Sequence, residues 1–219
     1  MIFNIDNLLT GQQLAQIQKG LDQAKFIDGK LTAGWHAKQV KNNTQLKSFS
    51  PLAESVTKTL SSLLLKNSLF QAAAYPKSIH KILVSRYETG MSYGSHVDNA
   101  FMAGKRTDIS FTIFLNAPDS YQGGELSIEL SDGDRLCKLE AGSAVVYPSS
   151  TLHQVMEVSE GVRLVAAGWA ESYIRDPAKR ELLFELDTVK RLLFKKSGKS
   201  VEFDLVAKSH SNLLRQWAE

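Results

Sequence analysis

The chain has 219 residues, 43% hydrophobic and 22% charged, with a net charge of +3. That is enough for one good core plus extra helices, or at most two small domains, and too apolar for a disordered chain. The densest basic groups, Lys179-Arg180, Lys190-Arg191 and Lys195-Lys196, all fall in the last quarter, where a solvated helix face explains them better than a nucleic-acid surface.

The first ten residues, MIFNIDNLLT, carry no basic segment and no long apolar run, so a signal peptide is not expected. No stretch approaches the roughly 20 apolar residues of a membrane helix. Cys137 is the single cysteine and cannot form an internal disulfide. These features set the expectation of a cytoplasmic protein with neither a nucleic acid nor a membrane as partner.

Residues 1–77 read as a mostly helical support region. Leu14, Ile17 and Leu21 recur at helical spacing after Thr10-Gly11, and Ser50-Pro51 reads as an N-cap followed by proline at the first helical position. Leu52, Val56, Leu60, Leu63 and Leu64 give the second helix a wide apolar face. Between the two helices the polar segment 31–46 is either a bare connection or a loop over a pocket. Asn42 and Asn43 within it are candidates for a substrate side.

From residue 78 the period changes to 2: Ile79, Lys81, Leu83 and Ser85 alternate with His80, Ile82, Val84 and Arg86. DISFTIFLNA, GGELSIEL, DRLCKLE, SAVVYP, LHQVMEV and VRLVAAGWAES follow. Seven or eight short strands with no helix between them predict a mostly β core over 78–172, a sandwich, barrel or jelly roll. Asp176-Pro177 then starts a helix with an apolar stripe from Leu182 to Leu193, SGKS interrupts it, and SHSNLLRQWAE, residues 209–219, reads as a final short helix. This extension, 173–219, packs on the core or forms a homo-oligomer contact.

The chemistry centres on RYETGMSYGSHVD. In His96-Val97-Asp98, residues i and i+2 of an extended chain share a face, and His153 lies in a later strand-like segment. Two histidines and one carboxylate are the ligand set that holds non-haem Fe(II) with positions left open. The alternative is two unrelated structural histidines. Arg163 follows in EGVRLVAAGW. If Ser159-Glu160-Gly161 is a hairpin loop, His153 lies opposite Ala167 and Arg163 opposite Glu157, so His153 and Arg163 share a face. A short dicarboxylate would then reach from the metal to the guanidinium, whose planar fork suits a carboxylate. The alternative for Arg163 is a structural ion pair with Glu157. Tyr87 and Tyr93 flank the approach to His96, as carboxylate donors or as packing. Trp169 fills the interior and Glu125 is structural. His36 sits in the polar loop, His80 is a surface or satisfied core residue, and His210 faces solvent.

RYETGMSYGSHVDN, DISFTIFLN, YQGGELSIE, GSAVVYPSSTLHQVMEVSEGVRLVAAGW and ESYIRDPAKRELLFELD together resemble the PKHD-type hydroxylases, bacterial relatives of the prolyl 4-hydroxylases among the Fe(II)- and 2-oxoglutarate-dependent dioxygenases. The resemblance covers roughly residues 78–190. It implies a double-stranded β-helix, with His96, Asp98 and His153 as Fe(II) ligands and Arg163 on the 2-oxoglutarate. Implied with it are O2 as oxidant, decarboxylation of the co-substrate to succinate, hydroxylation of a small-molecule or peptidyl substrate, L-ascorbate binding and a link to iron homeostasis. Two other classes are a non-catalytic metal-binding or iron-sensing barrel, which has no use for Arg163, and a zinc hydrolase, which needs a general base.

Overall fold

Along the long strands, alternate side chains meet either the helices or the interior, and that division places the site. The computed structural model describes all 219 residues. The first part runs β1 (Phe3–Ile5), α1 (Gly11–Asp22), β2 (Phe26–Asp28), β3 (Lys41–Asn42), β4 (Thr44–Leu46), α2 (Pro51–Lys66) and α3 (Ser68–Ala74). Then come β5 (Pro76–Glu88), β6 (Ser92–His96), β7 (Phe101–Met102), β8 (Lys105–Arg106), β9 (Ile109–Phe114), β10 (Tyr121–Gly123), β11 (Leu126–Ile128), β12 (Arg135–Cys137), β13 (Ala144–Pro148), β14 (His153–Val155) and β15 (Val158–Ser172). The helices α4 (Pro177–Ser197) and α5 (Val201–Trp217) close the chain.

The helix starts are the ones their residues dictate. Thr10 and Gln13 form a reciprocal capping box at α1, Ser50 caps α2 ahead of Pro51, and the Asp176 carboxylate accepts from Ala178 and Lys179 at α4. Each satisfies backbone N–H groups that the first turn leaves without partners.

Two antiparallel sheets face each other. The larger has the order β1-β13-β9-β15-β5-β4-β2, with β10 also paired to β15; the smaller has the order β12-β11-β14-β6-β3. On the larger sheet, Ile82, Val84, Ile109, Ile113, Val146 and Ala166 point outward and pack with Ile17, Leu21, Val56, Leu60, Leu64 and Phe70 of the helices. The alternate residues point inward, where Tyr87, Phe114, Val145, Tyr147 and Val165 meet Leu126, Ile128 and Val155 of the smaller sheet. This is the jelly-roll-like, mostly antiparallel core expected from the strand pattern, with helices on one side.

Several local expectations are corrected. The first 75 residues are only partly helical, because β1 to β4 extend the edges of the two sheets. The polar segment 31–46 therefore forms part of the sandwich as β3 and β4, reached through short 3-10 turns. Residues 159–161 do not form a hairpin loop. Gly161, at φ +80°, lies opposite Tyr121, and a Cβ there would come 2.6 Å from the Ser120 carbonyl oxygen. Glycine thus lets the strand run on through a paired stretch that any side chain would block. The last helix is longer than expected, spanning Val201–Trp217. His210 on it is buried rather than solvent-facing, and its Nε2 lies 3.0 Å from the Tyr75 hydroxyl.

Candidate metal centre and its cleft

The loss of that hairpin changes the register. His153 pairs directly with His96 across β14 and β6 in the smaller sheet, whereas Arg163 pairs with Tyr87 in the larger one. His153 and Arg163 therefore lie on opposite walls of one cleft, where the sequence put them on one ladder. The alternative reading of Arg163, an ion pair with Glu157, has no counterpart: none of the guanidinium nitrogens has a partner, and the Glu157 carbonyl accepts from Gly124 N–H.

On the smaller-sheet wall, one side-chain atom from each of His96, Asp98 and His153 lies within 4.8 Å of the others. The two imidazole rings are 4.3 Å apart, and His153 Nε2 is 3.8 Å from Asp98 Oδ2. Each histidine is held by its other nitrogen: Nδ1–H of His96 donates to the Gly94 carbonyl and Nδ1–H of His153 to the Thr151 carbonyl, both at 2.9 Å. Those bonds fix the tautomer and leave both Nε2 lone pairs free, the arrangement in which a carbonyl orients a metal-ligating histidine. Burial first, and then the neighbouring His153, lower the His96 pKa to about 4, so it is neutral and ready to donate. Tyr93 stacks on His96 at 3.7 Å between centroids. Asp98 sits just past β6, and its Oδ2 accepts from Ser110 Oγ at 2.5 Å; Ser110 Oγ in turn lies 2.8 Å from Ser149 Oγ.

On the larger-sheet wall, Arg163 is 1% exposed, and none of its three guanidinium nitrogens makes a hydrogen bond. Its charge lies over two rings, 5.0 Å from the centroid of Tyr87 and 5.8 Å from that of Phe114. A buried, unpaired charge costs several kcal/mol, so this pocket is built for an anion. Tyr147 lies between the walls: its ring is 5.1 Å from His153, and both Asp98 and Arg163 act on its hydroxyl, which burial above all holds well above its ordinary pKa. Tyr87 and Asn43 also line the cleft, and the Asn43 amide is buried. Asn42 is instead exposed and donates to the Gly90 carbonyl.

The donor set suits a divalent ion: two imidazoles and one carboxylate on one side, with open space opposite. Asp98 is the only carboxylate lining the cleft, so the general base that a zinc hydrolase needs has no counterpart. His36 does not reach the cleft, and both ring nitrogens of His80 are buried without partners rather than satisfied. Glu125 is structural, 3.7 Å from Lys138 Nζ. Sequence reading missed Ser110, Tyr147 and Lys41. For Ser110 the signal was present: in ISFTIF the polar residues alternate with apolar ones on the inward face. For Lys41 there was none.

A family model for the 2OG-Fe(II) oxygenase superfamily matches residues 82–171. The chain is 58% identical to a PKHD-type hydroxylase of Acaryochloris marina over 219 residues, and 54% identical to one of Synechococcus elongatus over 223, with both chains covered in full each time. Among solved structures it resembles a Pseudomonas putida prolyl-4-hydroxylase (TM-score 0.55, 18% identity, covering 78% of this chain and 92% of that one). It also resembles a Trichoplax adhaerens prolyl hydroxylase solved with a hypoxia-inducible-factor peptide fragment (TM-score 0.57, 16% identity, covering 83% and 86%).

Proposed function

The chain belongs to the PKHD-type hydroxylases of the 2OG-Fe(II) oxygenase superfamily, and on that premise we propose that His96, Asp98 and His153 hold the Fe(II) and that Arg163 anchors the 2-oxoglutarate. The enzyme is an Fe(II)- and 2-oxoglutarate-dependent oxygenase acting with O2 on a small-molecule or peptide substrate. The observation that carries the site assignment is Arg163: a fully buried guanidinium without a partner, in the same cleft as the triad. A sensor or storage barrel needs the triad alone. In this reading residues 78–172 are the catalytic unit, with 1–77 and 173–219 packed on it. No helix is long and apolar enough to cross a membrane; the single, buried Cys137 thiol suits a reducing cytoplasm.

Bound there, the iron would supply the oxidation, one atom of O2 going to the substrate and the other to succinate as 2-oxoglutarate loses CO2. The chain's residues position and exclude. His96 and His153 offer Nε2 while their backbone bonds hold the rings. Ser110 keeps the Asp98 carboxylate aimed inward. Arg163 binds a distal carboxylate in a bidentate, water-free setting, where such a pair is strongest. Phe114, Val165 and Leu126 keep that end dry.

The test is an anaerobic titration with Fe(II) and then 2-oxoglutarate, following the visible charge-transfer band of the chelate. Asp98→Ala should lose the band and all iron-dependent succinate formation. Arg163→Ala should keep metal binding and raise the 2-oxoglutarate requirement by about 2–4 kcal/mol, the range for one partner of a buried charged pair. A wild-type protein that binds metal but gives no band would end this reading, and an unchanged requirement in Arg163→Ala would remove Arg163 from it.

A further inference from the structure

The inward residues of β15 and β5 form a ladder whose two ends differ in chemistry. Arg163 pairs with Tyr87 at one end, Val165 and Ala167 continue it opposite Ser85 and Leu83, and Trp169 pairs with Lys81 at the other. Six residues of strand separate the ends, about 20 Å of backbone at 3.3 Å per residue, so a five-carbon dicarboxylate held by the long Arg163 side chain leaves part of the ladder uncovered. The neighbouring register fixes the level of the metal site: Ser110, which bonds Asp98, pairs with Trp169. Lys81 and Trp169 thus lie at the end of the ladder nearer Asp98, and a dicarboxylate reaching from the metal to the guanidinium extends away from them.

Lys41 joins this end from the opposite wall. It is 5% exposed, its ammonium lies 4.9 Å over the Tyr93 ring, and Tyr93 is stacked on His96. Its Nζ donates to Thr32 Oγ1 at 3.2 Å. The Thr32 hydroxyl donates to Gln45 Oε1 at 2.6 Å, and Gln45 Nε2 to Ser85 Oγ at 3.2 Å, so a chain of hydrogen bonds ties the lysine to the ladder. Neither Lys41 nor Lys81 has a carboxylate within ion-pair distance. The Trp169 Nε1–H is buried without an acceptor.

Charge balance points the same way. Lys41, Lys81 and Arg163 line the cleft against Asp98 alone. A divalent ion raises that excess, and a doubly charged 2-oxoglutarate still leaves two positive charges unmatched. Burial of like charges without a counter-ion is unfavourable; even with burial first and Lys81 next lowering its pKa to about 8, Lys41 is largely charged at neutral pH.

We propose that Lys41, Lys81 and the Trp169 N–H form an anion-binding end of the cleft that takes a carboxylate of the primary substrate, so that the enzyme hydroxylates a small carboxylate-bearing molecule rather than an internal residue of a peptide chain. The proposal rests on the assignment of Arg163 to the co-substrate. Lys41 stands on the smaller-sheet wall, Lys81 and Trp169 on the larger, and all three line the cleft together with the metal ligands; a carboxylate between the walls would accept from them.

The test uses the anaerobic Fe(II)–2-oxoglutarate complex and calorimetric titration with propionate, propionamide and inorganic phosphate. Propionate should bind at least tenfold tighter than its neutral amide and tighter than phosphate. Lys41→Met and Lys81→Met should each weaken it at least fivefold, with the 2-oxoglutarate requirement moving less than threefold. Lys81, half-buried at the open end, gives an informative variant if Lys41→Met does not fold. Equal binding of acid and amide, a tenfold preference for phosphate, or indifference to both lysines would overturn the proposal. So would a loss of 2-oxoglutarate binding in the lysine variants. If Arg163→Ala then leaves 2-oxoglutarate binding intact, the co-substrate assignment falls too; if it does not, only the carboxylate end falls.

Discussion

At the scale of single residues, the metal site leans on a hydroxyl that is no ligand itself. Ser110 Oγ gives Asp98 a short, charge-assisted bond and shares a second contact with Ser149. Ser110→Ala should therefore weaken Fe(II) binding about 10- to 100-fold with the fold intact, the usual cost of removing a partner that orients a ligand; equal metal affinity would assign the serine to packing. His96 carries a pH consequence. Its folded pKa lies below the unfolded value, so between about 4 and 6.5 the unfolded chain binds more protons. Metal-free protein should lose the His96 contribution to stability as pH falls through that window, with none of that contribution left to lose below it. Against His96→Gln, urea unfolding should show a difference of about 3 kcal/mol across the window. His96, Asp98, His153 and Arg163 were legible as candidates because their residue types are scarce and specific to a chemistry. Lys41 was not, since a lysine in a polar loop carries no sign that folding will bury it.

Among the elements, strand pattern was readable and strand partnership was not. Period 2 located β5, β9, β13 and β15, and the capping residues located α1, α2 and α4 within a residue or so. The register around residue 160 depends on Gly161 meeting Tyr121, forty residues earlier, and no local pattern encodes that. Strands as short as β2 to β4 draw their stability from sheet edges rather than from their own composition, which hid them in a region that reads as helix and loop. Gly124 shows how such backbone detail bears on the site. At φ +67°, a Cβ there would lie 3.0 Å from Arg163 Cδ and 2.9 Å from Val158 Cγ2. Gly124→Ala should displace the arginine and raise the 2-oxoglutarate requirement several-fold while leaving Fe(II) affinity unchanged; a titration giving both constants unaltered would show that the strand end absorbs the methyl group.

For the molecule as a whole, the larger sheet is covered on both faces, and its helix side contains no part of the cleft. Leu60, fully buried between α2 and that sheet, should cost about 2–5 kcal/mol on truncation to alanine. Chelate formation at low temperature should be unaffected, because the residue lies on the other side of the sheet. A loss of 2-oxoglutarate affinity matching the loss of stability would show instead that the two faces are energetically one.

The two walls give the complex a further property. The proposed ligands belong to one sheet and Arg163 to the other, so in that reading metal alone would engage one half of the sandwich, whereas a molecule chelated at the iron and anchored at the guanidinium would bridge both. Occupancy then works as a clasp. Ligand at a hundred times its dissociation constant adds about 2.7 kcal/mol to a folded state that alone can bind it. Here the increment should be more than additive: 2-oxoglutarate without metal should scarcely move the melting temperature, and the pair should raise it well beyond Fe(II) alone. By reciprocity the co-substrate must tighten the hold on iron by the same factor that iron tightens the hold on the co-substrate. The metal would then be released most readily in the interval after succinate leaves and before the next 2-oxoglutarate arrives.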